Sequence, residues 1–235
     1  MNQLGNALHE KQEGILLINK PKGNTSFSLI RTLRRRLKIK KIGHAGTLDP
    51  FATGVMVFLI GKTYTSMSDR FLNEDKEYMT QVYLGVTTDT FDSDGKVTAY
   101  SEKTPTFQEI KNSISKFQGK ILQTPPMYSA KKVNGKKLYE LARKGKIVDR
   151  EPVEVELQIK ILNYQYPYLN LQISCSKGTY VRSIADDLGA MLGCGAHLSE
   201  LQRIRSGKFT IHDCIDGYLL ENDSFDLTPS IKVDC

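Results

Sequence analysis

Val153-Glu-Val-Glu-Leu-Gln-Ile-Lys-Ile161 alternates apolar and polar side chains without a break. A period of two places the aliphatic residues on one face of a strand and Glu154, Glu156, Gln158 and Lys160 on the other. A strand buried on one face only belongs in an antiparallel sheet, since parallel strands are covered on both faces. Leu169, Leu171, Ile173 and Cys175 repeat the pattern. Residues 14–19, 55–60 and 76–84 read as further strands, and Asp94-Gly95 as a hairpin-type turn.

Helical spacing separates these strands. Phe27, Ile30, Leu33 and Leu37 form one apolar stripe, and Tyr64, Met67 and Phe71 a second. Phe107, Ile110, Ile114 and Phe117 form a third, opened by the capping box Thr106-Phe-Gln-Glu109. Val181, Ile184, Ala185, Leu188 and Met191 form a fourth, on a helix over about residues 179–192. This order predicts an α+β fold with a mixed, mostly antiparallel central sheet flanked by helices.

The 235 residues carry 33 basic and 26 acidic side chains, a net charge of +7. Residues 31–41 alone hold Arg31, Arg34, Arg35, Arg36, Lys38, Lys40 and Lys41 with no acid, so the excess is a local surface feature. Residues 125–150 hold eight basic side chains against two acidic ones, open on Pro125-Pro126 and contain the turn pair Asn134-Gly135. They predict a protruding basic insertion, whose Lys131, Lys132 and Arg143 are candidate substrate-binding residues. Two such surfaces suit a nucleic-acid backbone, with binding that weakens steeply as salt displaces the contacts.

Other function classes fall away. Cys175, Cys194, Cys214 and Cys235 are too widely spaced for a zinc site, and Cys194 with His197 lacks a second pair. No metal and no cofactor is expected. Gly61-Lys62-Thr63 is like the end of a phosphate-binding loop, but Met56 stands where that motif needs glycine. Asp92-Ser-Asp94-Gly95 is like a calcium loop, but Thr90 and Ser101 occupy the end positions that need carboxylates. No nucleophile elbow is present. The polar N-terminus with Glu10 and Glu13 is unlike a secretory leader, and residues 55–60 are too short an apolar run to span a bilayer. A cytoplasmic protein without a membrane segment is expected.

Gly43-His44-Ala45-Gly46-Thr47-Leu48-Asp49-Pro50 presents one carboxylate on a loop shaped by glycine and stiffened by proline. Asp before Pro is also a common turn starter. Arg182 sits in the first turn of its helix, where a cation opposes the positive end of the dipole at a cost of roughly 0.3–1 kcal/mol. A carboxylate partner would offset that cost, and Asp186, Asp187 and Asp49 are all candidates. Tyr78 lies in a strand, where packing is the ordinary role of a tyrosine.

Taken together, six segments closely resemble the bacterial tRNA pseudouridine-55 synthases, the TruB family. They are Leu17-Ile-Asn-Lys20-Pro21-Lys-Gly23-Asn-Thr25-Ser26, the Gly43 to Pro50 loop continued to Gly54, and Asp75-Lys76-Glu-Tyr78. Then follow Thr88-Asp-Thr90 with Asp92-Ser-Asp94-Gly95, Pro125-Pro126-Met-Tyr-Ser129-Ala130, and Cys175-Ser-Lys177-Gly178-Thr179-Tyr180-Val-Arg182 continued to Gly189. The likeness runs from about residue 14 to residue 209 and implies the pseudouridine synthase fold.

The resemblance implies isomerisation of one uridine in the tRNA T-loop, by base flipping, glycosidic bond cleavage and re-formation as a C–C bond. Asp49 matches the catalytic aspartate, Tyr78 the aromatic that stacks on the flipped base, and Arg182 the arginine that pairs with the aspartate. His44 matches the histidine that fills the vacated space, and Leu201 an apolar pocket wall. Lys20 and Pro21 match a supporting motif, and Gly46 is counted with the substrate-binding residues. The partner implied is the tRNA T-stem-loop, and a monomer is expected. Residues 1–212 form the expected catalytic domain. About 25 residues follow Phe209, too few for the PUA domain that many members carry, so residues 213–235 are expected to be a short C-terminal tail, its acidic residues 221–235 loose. The competing expectation is an RNA-binding or RNA-folding protein that uses the same surface without catalysis.

Overall fold

The computed structural model describes residues 13–233 except residue 134. Glu10, Cys235 and the asparagine of the 134–135 turn therefore lie outside the described residues. The chain divides into two compact units, one formed by the residues up to Asn73 together with those from Lys208, the other by Glu74–Gly207.

In the first unit β1 (Gly14–Lys20) runs antiparallel to β3 (Thr53–Ile60), which also pairs with β2 (Ile42–Ala45). Ile15, Leu17, Val55, Val57 and Leu59 project into one core with Ala45, Phe71 and Phe209. Between β1 and β2 lies α1 (Ser26–Leu37), whose N-cap Thr25 accepts from the Ser28 amide at 2.9 Å. Its buried stripe is Ser26, Leu29, Ile30 and Leu33. Phe27 lies outside the stripe and is 61% exposed, because a helix turns about 100° per residue and carries position 27 off the face defined by Ile30 and Leu33. The helix expected over Tyr64, Met67 and Phe71 is split into α2 (Gly61–Ser66) and α3 (Ser68–Leu72). Thr65 and Ser66 donate back to the carbonyls of Gly61 and Thr63, a local competition that weakens a continuous helix. The Lys62 and Thr63 amides donate to the Glu13 carboxylate, so the phosphate-loop look-alike is occupied by a side chain.

In the second unit β4 (Lys76–Leu84) is flanked by partners on both sides. The hairpin of β5 (Val86–Thr88) and β6 (Val97–Tyr100) follows, spanning the expected turn at Asp94-Gly95. The capping box at Thr106 and Glu109 is formed at the start of α4 (Phe107–Ile114). Phe107 is 45% exposed, contrary to its place in the expected stripe, and its ring stacks on Tyr164 at 6.5 Å. Next come β7 (Gly119–Gln123), the short hairpin of β8 (Lys132–Val133) and β9 (Lys136–Lys137), and α5 (Leu138–Ala142). β10 (Val153–Gln165), β11 (Tyr168–Cys175), α6 (Val181–Leu192) and β12 (Ala196–Ser206) complete the unit. Its strands lie in the order β12-β4-β11-β10-β7, every pair antiparallel, as the alternation of β10 and β11 predicts. Any side chain at Gly189 would strike the Ala196 backbone, so α6 packs tightly on β12.

The chain then returns to the first unit through β13 (Phe209–Thr210) and β14 (Ile215–Asp216). β14 pairs parallel with β1, Ile18 opposite Ile215 and Asn19 opposite Asp216, which makes the sheet mixed. The expected loose tail is instead packed. Leu220, Leu227 and Ile231 are buried, and the backbones of Ile15 and Lys232 exchange two hydrogen bonds of 2.8 Å. A side chain at Gly217 would collide with Pro21 and the Asn19 carbonyl, so glycine lets this segment close on the end of β1. Acidic residues on the surface of the segment hid the apolar set beneath it.

Candidate functional site

In the first unit the Asp49 loop is fixed on both sides of the carboxylate. The hydroxyl of Ser26 donates to the Leu48 carbonyl at 3.3 Å and accepts from the Leu48 amide at 3.2 Å. The Pro50 carbonyl accepts from the Gly23 amide at 2.8 Å and from Lys20 Nζ at 3.1 Å. The ammonium of Lys20 also donates to the carbonyls of Pro21, at 3.0 Å, and Asn24, at 2.7 Å. Lys20 is fully buried, so a cation removed from water is held by backbone dipoles at the root of the loop. Gly46 has φ +90°, a conformation that residues with a Cβ avoid, and turns the chain out of β2. The Asp49 side chain is half-buried. His44 is half-buried on β2, opposite Phe58 of β3. The sequence-predicted Lys20, His44, Gly46 and Asp49 thus belong to one unit, with Lys20 bonded into the loop that bears Asp49.

The second unit holds Tyr78, Arg182, Leu201 and the basic insertion. Lys76, Tyr78, Thr80, Val82 and Leu84 are the buried face of β4. On the neighbouring strand β12, Leu201 lies opposite Thr80 and Arg203 opposite Tyr78. Two irregularities in β12, between Leu198 and Glu200 and between Arg203 and Arg205, set this register. An extra residue in one strand re-aims the side chains around it. The second bulge lets Arg203 share the buried face with Tyr78 while Arg205 pairs with Asp75 and Glu77 at 2.7 and 3.2 Å on a more exposed face.

Arg182, 4% exposed, opens α6 and forms an ion pair with Asp92 at 3.2 Å. It donates to the carbonyls of Thr90, at 2.9 Å, and Tyr128, at 2.8 Å. Asp92 is held by the Thr90 hydroxyl at 2.6 Å and the Asp94 amide at 3.1 Å. The segment that looked like a failed calcium loop therefore supplies a carboxylate to a guanidinium. Asp186 and Asp187 do not take that role. Burial, and then the charge of Asp187, push the Asp186 carboxyl up to about 6, and burial raises Asp187 as well. A guanidinium partner would act in the opposite direction.

Lys76 and Arg203 are two more buried cations of this unit, and neither was singled out from the sequence as a functional residue. Burial, and then the charge of Arg203, lower the pKa of Lys76. Cys175, opposite Lys76 on β11, is pushed up to about 11 by burial, against the pull of a Thr179 hydrogen bond and the two cations. The thiol thus remains neutral and is no counter-ion. The available signal was a charge inside an alternating strand at the apolar phase, as with Leu201 and Arg203.

The insertion is basic and partly anchored. Pro125, Pro126, Ser129 and Leu138 are buried, while Arg150 donates to the Pro125 carbonyl at 3.1 Å and closes its base. Lys132 and Arg143 are exposed and Lys131 is half-buried. Lys137 Nζ and the Arg143 guanidinium each sit 5.4 Å from the centre of the Tyr139 ring. The 31–41 surface is less available than its charge suggests. Arg34 donates to the Ile42 carbonyl at 3.1 Å, Arg35 pairs with Asp223 at 3.3 Å, and Arg36 donates to the carbonyls of Leu219, at 3.0 Å, and Phe225. Three of the four arginines of α1 hold backbone or the C-terminal segment, leaving Arg31, Lys38, Lys40 and Lys41 as exposed cations without such bonds shown. Among the described residues no cluster of three or more His, Cys, Asp or Glu side chains could hold a metal ion, and no helix is long and apolar enough to cross a membrane.

Comparison with known proteins bears on this arrangement. Residues 34–181 match the family model of the TruB family pseudouridylate synthase N-terminal domain, and residues 182–224 that of the tRNA pseudouridylate synthase B C-terminal domain. A tRNA pseudouridine synthase B of Protochlamydia amoebophila is 63% identical over 205 residues, covering 87% of this chain and 78% of its own. That of Chlamydia abortus is 59% identical over 223 residues, covering 95% of each. Among solved structures, a chain of a Cbf5–Nop10–Gar1 complex superposes with a TM-score of 0.71 at 25% identity, over 95% of this chain and 60% of that one.

Proposed function

The chain belongs to the TruB family of pseudouridylate synthases, and on that premise we propose that it isomerises the T-loop uridine of tRNA, with Asp49 as the reacting carboxylate. It is an isomerase that acts on tRNA, converting uridine to pseudouridine. The single observation that carries this reading is the family match, which spans both compact units and includes Asp49, Tyr78 and Arg182.

The chemistry suits the residues. The N1–C1′ bond of the nucleoside opens, the uracil turns, and C5 bonds to C1′ while the C5 proton is lost and N1 gains one. No redox change occurs, so no electron carrier or nucleotide cofactor is called for. Asp49 meets the sugar as the glycosidic bond opens, on a loop whose backbone Ser26, Gly23 and Lys20 already hold in place. Such preorganisation lowers the cost of reaching the reactive geometry. Tyr78 stacks on the everted base, and Leu201 walls its pocket. Arg182 supplies the positive charge that the family resemblance assigns to the reacting carboxylate, a role that a rigid guanidinium fork fills better than a lysine. His44 fills the space that the base leaves. Flipping the nucleotide costs a few kcal/mol, offset by stacking and by phosphate contacts. Lys131, Lys132 and Arg143 of the insertion supply those contacts to the T-stem-loop. The enzyme works as a monomer on cytoplasmic tRNA, and the catalytic fold extends through residues 213–233, since these pack on β1.

The test is to incubate the purified protein with unmodified tRNA, without cofactors, and to map pseudouridine by position. Modification confined to the T-loop uridine is expected. Modification elsewhere overturns the site assignment, and tight binding with no product overturns the catalytic reading.

A further inference from the structure

Arg203 is a large charged side chain that is only 1% exposed, in the middle of a sheet face otherwise filled by Leu201, Tyr78, Thr80 and Val82. Taking a guanidinium out of water is costly, and an apolar residue of similar volume would pack the same place with less penalty. A charge kept at such a position calls for a task that an aliphatic side chain cannot do. Its place in the sheet sets which residue stands opposite it.

In the antiparallel ladder Arg203 is the direct cross-strand partner of Tyr78. Directly opposed residues on one face of such a pair bring their Cβ atoms to within roughly 4.5–5.5 Å. That facing depends on a defect. Residues 203 and 205 would share one face in a regular strand, but the irregularity between them sends Arg203 inward beside Tyr78 and Arg205 outward to Asp75 and Glu77. Arg205 thus has its own carboxylates, and the bulge reserves Arg203 for the buried face. Lys76, two residues before Tyr78 on β4, is buried on the same face, and the charge of Arg203 acts on it. On the other flank β11 offers Ile173 opposite Tyr78, which brings no charge.

We propose that Arg203 is a positioning residue that acts on the reaction through the phenol oxygen of Tyr78. A guanidinium has only donors and the phenol oxygen can accept. The cation orients that oxygen and favours negative charge on it, while the ring remains free to stack on the base. This inference rests on the reading of Tyr78 as a residue of the active site.

The experiment is a double-mutant cycle between Arg203→Met and Tyr78→Phe, read as the single-turnover rate of pseudouridine formation at saturating enzyme, with tRNA affinity measured by filter binding. In the otherwise unchanged enzyme Arg203→Met slows the reaction ~10- to 100-fold with tRNA affinity held within about twofold, a coupling of the size seen between contacting residues. In the Tyr78→Phe background, where the oxygen is gone, the same change slows it less than about threefold. Arg203→Lys, which keeps the charge, recovers at least a third of the lost rate on a logarithmic scale. Arg203→Gln replaces Arg203→Met should the latter fail to fold. An equal loss in both backgrounds, or a loss that Arg203→Lys does not relieve, overturns the proposal and leaves Tyr78 in the site. A wild-type rate for Tyr78→Phe alone also overturns the proposal, because the phenol oxygen then carries none of the rate, whereas a wild-type rate for Tyr78→Ala overturns the reading of Tyr78 on which the proposal rests.

Discussion

Arg182 Nη1 lies 3.2 Å from Asp92 Oδ2, with the two side chains 5% and 6% exposed. A cation in the first turn of α6 opposes the helix dipole, and a carboxylate from a loop ninety residues earlier in the chain balances it. The pair stabilises little against two well-packed apolar residues, but breaking it from one side costs up to about 3–5 kcal/mol, less where the guanidinium keeps its bonds to the Thr90 and Tyr128 carbonyls. Asp92→Asn should therefore lower unfolding stability by up to that amount in urea titration and slow turnover through Arg182. Arg182→Met combined with Asp92→Asn should recover much of the stability and none of the activity. Equal stability of the single and double variants would show that the pair is not coupled.

Asp49 stands on a loop whose backbone is held independently of its carboxylate, by Ser26 at Leu48 and by Lys20 and Gly23 at Pro50. Asp49→Asn should accordingly fold and bind tRNA as the unaltered chain does, with pseudouridine formation below detection. Arg182→Lys should bind tRNA and react slowly, since a point charge replaces a bidentate fork. Normal turnover by the asparagine variant would remove Asp49 from the mechanism.

Lys20 makes three hydrogen bonds to carbonyls from full burial. Hydrogen bonds to a charged group contribute about 1.5–3 kcal/mol each, and loss of the buried cation's own desolvation cost offsets part of that. Lys20→Met should destabilise the chain by roughly 2–4 kcal/mol. It should also slow catalysis more than it weakens tRNA binding, because Pro50, next to Asp49, loses a tether. A variant with lower melting temperature but an unaltered rate at a temperature where it is folded would limit Lys20 to stability.

The sequence revealed the elements better than the partners. Alternation in residues 153–161 and 169–175 located β10 and β11 because one face is buried and the other is wet, and local chemistry gave the capping box at Thr106. Phe27 and Phe107 were misplaced because an apolar residue at the first turn of a helix can rest on a neighbouring ring or cation on the surface. Asp92 was set aside because its motif resembles an incomplete metal loop, whereas its use depends on an arginine ninety positions away. Arg203 escaped notice because a charge at the apolar phase, two residues after Leu201, reads as a break in the pattern, and the bulge that turns Arg205 to the other face leaves no mark in the pattern of residue types. Local periodicity is written in the sequence, while ion pairs between distant segments and register shifts are set by the tertiary fold.

The arginines of α1 separate structural from RNA-binding charge. Arg36 donates to the carbonyls of Leu219 and Phe225 and so clamps the C-terminal segment. Arg36→Ala should expose residues 219–225 to limited proteolysis while leaving the salt dependence of tRNA binding unchanged. Lys132→Ala, on the exposed hairpin of the insertion, should do the reverse: no new cleavage, and a logarithmic salt slope smaller by about one phosphate contact. A reduced salt slope for Arg36→Ala would return that residue to the RNA-binding surface.

Asp186 gives a pH dependence with a definite sign. Its carboxyl, raised by burial and by Asp187, titrates at about 6 in the folded chain, against about 3.9 in an unfolded one. Between those values the folded state binds more protons than the unfolded state, so this residue makes stability fall as pH rises from about 4 toward 7. Below pH 4 both states are protonated and the penalty is absent. The side chain is only half-buried, so solvent screening reduces the effect to on the order of 1 kcal/mol. Asp186→Asn, which cannot ionise, should therefore be more stable than the unaltered chain at pH 7.5 by about that amount and equal to it near pH 4. Chemical denaturation at the two pH values measures the difference directly. A gain of the same size at both would mean that asparagine improves packing or helix propensity, and that ionisation of Asp186 carries no cost in the fold.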